Sequence, residues 1–348
     1  MKSKEIIQQK YKNVTCPKCS SNKIKKDGKR KTQNRGKIQR YRCKECNFRF
    51  VIDDGFYRMR NNENKITAGI DLYYKGVSLR KVQEHFQAFY PYNSSHMSVY
   101  RWIIKYAEMV GNLVDNIPIK CGKEMQSDEM EYYRRKSKYH RGKEQNWFVD
   151  TFDVETKFMV TGEYIGSRTN ENLIKVMKRA KFKVGEQVEI VTTDGLRGYP
   201  RVLRKTFSLQ SPYHASSRTK SKIIHNIVIA DERGFNYPIE RLHNTIRERT
   251  KTMGGFHGCI ESAHAIMKGL EINYNFNRKH MSLGKKTPAK VAIPQLELGV
   301  NKWLNLIKLS KTRLYYLYSF TKSIFMTASF FLFFTIVKAL LKSLNSNL

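Results

Sequence analysis

Two cysteine pairs, Cys16-Pro17-Lys18-Cys19 and Cys43-Lys44-Glu45-Cys46, are separated by 23 residues. They constrain the chain more tightly than any other feature. Four thiolates at this spacing converge on one tetrahedral Zn²⁺. The other two cysteines, Cys121 and Cys259, stand alone. That arithmetic favours metal over disulfides in a reducing compartment. Between the pairs, Lys23–Lys26 and Gln39–Arg42 read as ribbon strands with few apolar side chains. One structural Zn²⁺ must therefore supply much of the folding energy. Residues 1–60 are expected to form a zinc ribbon.

The charge is lopsided. Lys and Arg number 65 against 30 Asp and Glu, a net charge of +35. Residues 1–60 hold 19 Lys/Arg and 5 Asp/Glu, and no acid follows Glu297. Such segregated positive charge calls for a polyanionic partner. DNA comes first and an anionic membrane second. The opening Met1-Lys2-Ser3-Lys4-Glu5 lacks an apolar run of leader length, so a cytoplasmic, nucleoid-associated prokaryotic protein is expected.

Residues 63–110 read as helical. Ser78 is an N-cap for the helix from Leu79, and a second helix runs Val99–Tyr106 after Ser94-Ser95-His96-Met97-Ser98. Helix, short connection and helix is the plan of a helix-turn-helix. Ser98, Tyr100, Arg101 and Lys105 are its DNA-facing candidates, with Val99, Trp102 and Ile103 inward. Gly111, Pro118 and Gly122 mark a linker over 111–123.

From 124 to 295 strands and helices alternate. Met125–Tyr133 reads as a strand, and Trp147–Phe152 with Lys157–Tyr164 as a hairpin. Then come a helix over Asn170–Phe182, a strand over Val188–Thr193, a helix over Arg197–Phe207 with a break at Pro200, a strand over His225–Ala230 and a helix over Ile239–Lys251. The fold class is α/β (α+β, multi-domain), and this order is that of a ribonuclease-H-like core.

Three acids stand out. Asp128 lies mid-strand, Asp194 ends a strand before Gly195, and Glu240 lies in a basic helix. Converging from three elements, they can hold two Mg²⁺ (or Mn²⁺) for phosphodiester chemistry. Glu129 neighbours Asp128, but strand alternation turns only one of the two toward the metals. His243, Asn244 and Arg247 share the Glu240 face and are expected to grip DNA.

At these residues the chain resembles DDE transposases of bacterial and archaeal insertion sequences, especially the insertion-sequence-six subgroup. The likeness rests on Ser127-Asp128-Glu129, on Thr193-Asp194-Gly195 with Tyr199, and on Ile239-Glu240-Arg241-Leu242-His243 through Gly255-Phe256. It rests also on Asn273-Tyr274-Asn275-Phe276-Asn277-Arg278-Lys279-His280 and Lys286-Thr287-Pro288-Ala289. It covers residues 10–310. The resemblance implies a catalytic, metal-binding triad of Asp128, Asp194 and Glu240. It implies an enzyme that nicks element ends and joins 3′-OH ends to target DNA, working at least as a dimer. The Asp194–Glu240 interval is longer than in that subgroup, with the excess in Ser208–Lys222. The alternatives are an inactive zinc-ribbon/helix-turn-helix regulator and a nuclease that cuts without joining. Residues 296–348 form a C-terminal extension. Its stretch 323–341 is apolar enough to keep a membrane contact as a lesser reading.

Overall fold

The computed structural model describes residues 14–33, 35–90, 94–135, 143–207, 223–228, 236–253 and 255–311. Near the N-terminus, β1 (Ile24–Thr32), β2 (Gly36–Cys43) and β3 (Arg49–Phe50) form an antiparallel sheet. The β1–β2 register pairs Ile24 with Cys43, which brings the start of β1 beside the second cysteine knuckle. Both strands are longer than the four-residue stretches expected. A bulge between Lys26 and Lys29 absorbs the extra length, with Gly28 at φ +68°. Apart from the buried Cys16 and Cys43, this sheet is largely solvated.

Three helices come next in the chain: α1 (Glu63–Tyr74), α2 (Leu79–Phe89) and α3 (His96–Val114). The Ser78 hydroxyl accepts from the Lys81 N–H, as the sequence predicts. Ser95 caps α3 by accepting from the Ser98 N–H at 3.2 Å, so the helix starts three residues before Val99. It also runs on past 110 into the segment expected as linker. The reason lies at Gly111, where a Cβ would stand 2.9 Å from the Lys268 side chain. The missing side chain lets α7 (Ile260–Ile272) pack against α3.

A buried ionic cluster ties these helices to the rest. Lys268 Nζ lies 2.6 Å from Glu271 and 3.0 Å from Asp115. Lys183 Nζ lies 3.6 Å from both acids and donates to the Val160 carbonyl.

The second sheet has the order β6-β5-β4-β7-β8. Its first three strands are β4 (Glu124–Arg135), β5 (Lys143–Asp153) and β6 (Met159–Ile165), all antiparallel. Helix α4 (Asn170–Val184) then leads to β7 (Ile190–Thr193), which pairs parallel with β4. Helix α5 (Tyr199–Phe207) precedes β8 (Ile224–Ile227), parallel to β7. Pro200 does not break α5, because it sits in the first turn, where no helical hydrogen bond needs its missing N–H. Helix α6 (Tyr237–Thr252) opens with Pro238 and leads to the short β9 (Phe256–His257). The chain is thus a mixed α/β protein, with apolar α4 positions Leu173, Val176, Met177 and Ala180 buried.

Beyond α7 the chain makes a π-helical turn, Asn273–Asn277, and two further helices, α8 (Pro288–Ala292) and α9 (Lys302–Ser310). Helix α9 is core rather than appendage. Trp303 stacks on Tyr74 with ring centroids 5.6 Å apart, and Lys308 pairs with Glu63 at 2.8 Å. The apolar stretch 323–341 and the segment 208–222 lie outside the described residues. Among the described residues, no helix is long and apolar enough to cross a membrane.

The edge of β4 is left partly open. On the side of β4 away from β5, β7 stops at the pair Ser127–Thr193, and β9 starts at Arg134–Phe256. Between them, among the described residues, that edge of β4 has no strand partner. Asp128 and Glu129 lie in this window.

Candidate active site

The parallel register sets Ser127 against Thr193, so the next residues along the two strands, Asp128 and Asp194, stand side by side. Carboxylate oxygens of Asp128, Glu129 and Asp194 all lie within 4.8 Å of one another. Strict alternation predicts that Asp128 and Glu129 diverge, and here it fails. The two residues lie just beyond the end of β7, and a carboxylate oxygen of each still reaches the same group as Asp194. The Asp128 carboxylate turns along the strand and accepts the Glu129 N–H at 2.8 Å. Asp194 accepts the Leu196 N–H at 3.0 Å, a turn that holds its carboxylate at the strand end.

Glu129 is held from the other face. It accepts from the Tyr199 hydroxyl, which lies 3.2 Å from Ser127 Oγ. Arg168 stacks over Trp147 at 4.0 Å and approaches Glu129 to 3.8 Å.

Burial, with the negative charges of Asp150 and Asp194, pushes the Asp128 carboxyl up to about 6 against the opposing pull of His243. Burial and the charges of Asp194 and Asp128 push Glu129 up to about 7, against Tyr199 and Arg168. A desolvated group of like charges with hard oxygen donors is chemically suited to Mg²⁺ or Mn²⁺, whose charge offsets the repulsion.

Helix α6 lies against β4, with the Ile239 N–H donating to Gln126 Oε1 at 3.2 Å. His243, expected to face DNA, is only 2% exposed. Its Nε2 is 2.7 Å from Asp150 Oδ1, and its Nδ1 is 3.5 Å from Asp128 Oδ2. Burial alone would lower its pKa, but Asp150 and Asp128 outweigh burial and raise it. Asp150 is fully buried and directly opposite Asp128 across the β4–β5 ladder. Sequence reasoning missed Asp150. An acid in an apolar strand, paired in register with another acid, was the available signal.

Glu240 lies in the first turn of α6, exposed, and is not within the 4.8 Å group. It stands one turn before His243, which touches Asp128. Asn244 and Arg247 are exposed on the same helix.

The remaining predicted residues fall elsewhere. Cys16, Cys19, Cys43 and Cys46 cluster, with sulfurs 3.5 Å (Cys16–Cys46), 3.6 Å (Cys19–Cys43) and 3.4 Å (Cys19–Cys46) apart. Four thiolates around zinc at 2.3 Å stand about 3.8 Å apart, so the set fits one Zn²⁺ with little movement. The Cys43 thiol is drawn down to about 6, chiefly by the Cys46 backbone N–H. On α3, Arg101 and Lys105 are exposed, Ser98 and Tyr100 half-buried, and Val99, Trp102 and Ile103 buried. Ser98 contributes its hydroxyl to the Ser95 cap, and Lys105 lies over the Tyr106 ring at 5.2 Å.

No known family profile matches the sequence. Over 118 residues the chain is 31% identical to a Methanobrevibacter smithii protein described as the insertion element ISM1 uncharacterized 48.3 kDa protein. The match covers 30% of this chain and 29% of that relative. Among solved structures, the Drosophila P element transposase strand transfer complex aligns over 81% of this chain and 83% of its own. The identity is 10% and the TM-score 0.30.

Proposed function

We propose that the protein is an insertion-sequence transposase of the DDE type, a polynucleotidyl transferase with a ribonuclease-H-like core. One observation carries this reading. The β4–β7 register sets two half-buried carboxylates, Asp128 and Asp194, side by side at the open edge of β4, with a basic helix against that strand. Three antiparallel strands extended by two parallel ones, and the partial likeness to an insertion-element protein, support it. The insertion-sequence-six assignment rests on the motifs quoted for the resemblance.

Asp128 and Asp194, with Glu240, would hold two Mg²⁺ (or Mn²⁺). When bound, such ions activate the attacking oxygen and stabilise the leaving one. In the first step water attacks the phosphodiester at an element end, leaving a 3′-OH and a 5′-phosphate. In the second that 3′ oxygen attacks a target phosphodiester, forming one ester bond and releasing a target 3′-OH. His243, backed by Asp150, fixes the orientation of Asp128. Asn244 and Arg247 face the strand, and Arg101 and Lys105 of a helix-turn-helix bind DNA with the zinc ribbon. Pairing two ends requires at least a dimer. The place of Glu129 within the carboxylate group favours a second reading, in which Glu129 rather than Glu240 completes the metal set.

The test is Mg²⁺-dependent joining of labelled DNA from the gene's flanks into a plasmid. Joined products support the transposase. Binding without joining would assign a regulator, and cutting without joining a nuclease.

A further inference from the structure

A cavity of about 830 Å³ opens between α1, α6, the π-helical turn and α9. That volume suits a small organic ligand. Five cations line it: Lys75, Arg249, Arg278, Lys279 and Lys302. Among the described lining residues the only carboxylate is Asp71, already paired with Lys75 at 2.6 Å. Burial, and then the neighbouring charge of Lys279, lower the pKa of Lys302 against the pull of Asp71. With five cations and one carboxylate, the described lining carries excess positive charge.

The wall also carries unmet hydrogen-bonding capacity. Asn273 Oδ1, Asn277 Nδ2 and Trp303 Nε1 belong to lining residues, and each is buried without a hydrogen-bond partner among the described residues. Leaving such groups unpaired is costly, and an acceptor and two donors among the lining residues of one cavity are the types of group that pair with the edge of a nucleobase. Tyr274 and Trp303 are also lining residues, though their rings are nearly buried, Trp303 against Tyr74. A second depression of about 180 Å³ shares Lys279 and Lys302 and adds Lys285, Lys286 and Lys290, with no carboxylate in its lining. Thr245 and Arg249 of α6 line the cavity, and Thr245 is about 7.5 Å along the helix axis and about 140° round it from Glu240.

We propose that this cavity receives one unpaired nucleotide of a DNA strand. Its base meets Asn273 and Asn277, and the adjoining phosphates run along the Lys279–Lys290 track. The proposal rests on the reading of the protein as acting on DNA. It gives a role to the Asn273–His280 segment, whose side chains the metal site does not use.

The experiment measures fluorescence anisotropy of full-length protein, without added Mg²⁺, on a blunt duplex and on a duplex with a single-stranded overhang and equal phosphate count. Wild type should bind the overhang about tenfold more tightly, the size of one base stacked and held. N277A/K302Q should lose that preference while keeping blunt-duplex affinity and melting temperature. Arg278→Gln, a single change at an exposed residue of the cavity lining, should reduce the preference and covers the case of a misfolded double variant. Equal wild-type affinity for both probes would overturn the proposal, as would variants that weaken both probes equally or neither. Displacement of the overhang by dAMP at comparable affinity would assign the cavity to a free nucleotide and overturn the strand assignment. Joining without overhang preference refutes this inference alone, and preference without joining refutes the proposed activity alone.

Discussion

Replacing His243 with leucine removes the one hydrogen-bond partner that Asp150 has on its Oδ1. The contact is 2.7 Å, the carboxylate is fully buried, and its Oδ2 has no hydrogen-bond partner among the described residues. The variant therefore strands a charge where no water reaches it. Breaking a buried pair from one side costs roughly 3–5 kcal/mol, whereas replacing both members by apolar side chains is often neutral. His243 also faces Asp128 at 3.5 Å, but Asp128 is partly exposed and rehydrates, so Asp150 dominates the loss. His243→Leu should lower the midpoint of thermal unfolding by roughly 6 °C or more. H243L/D150L should recover most of it. Circular dichroism melts and urea titrations of the three proteins provide the measurement. A single variant that loses less than about 1 kcal/mol, the value of an exposed pair, would refute the claim that His243 anchors a buried carboxylate.

Chelation should release about one zinc ion per chain and abolish the sheet of residues 24–50, and Cys43→Ser should reproduce both effects in metal analysis and circular dichroism. Lys268→Met should destabilise the protein near neutral pH and flatten its acid dependence. Burial opposes ionisation of Asp115, yet Lys268 and Lys183 hold its pKa below the ordinary 3.8. That stability is therefore present above pH 3.8 and lost as pH falls through the depressed value. Burial likewise opposes the Lys268 charge, but Glu271 and Asp115 raise its pKa above 10.5, so the alkaline loss comes only above that. Unfolding free energy against pH for wild type and variant checks the sign. Glu240→Gln should reduce joining by more than about 100-fold, while Glu129→Gln stays within the roughly 10–100-fold typical of a residue that orients ligands. The reverse order would give the third metal position to Glu129.

Much of the fold was legible because its signals are local. The cysteine spacing, the Ser78 cap and the period of Leu173, Val176, Met177 and Ala180 each need only a few residues of context. What escaped depends on partners distant in sequence. Helix α3 continues through Gly111 because Lys268, far along the chain, fills the space of the missing side chain. Residues 302–310 read as an extension until Tyr74 and Glu63 are seen to receive Trp303 and Lys308.

The site divides in the same way. Asp128 and Asp194 can be picked out from strand pattern, but the approach of Glu129 depends on where β7 stops. His243 has the helical spacing of a DNA contact. Only the register of Asp128 with Asp150 reveals that it faces inward.

The most direct test is joining of a labelled DNA end into plasmid by wild type and Asp194→Asn, with DNA binding measured in parallel. Asp194 is proposed to hold metal and not to contact the DNA-binding helices. The variant should therefore bind DNA as wild type does and form no joined product with either Mg²⁺ or Mn²⁺. Joining at the wild-type rate by Asp194→Asn would contradict the assignment of the carboxylate site.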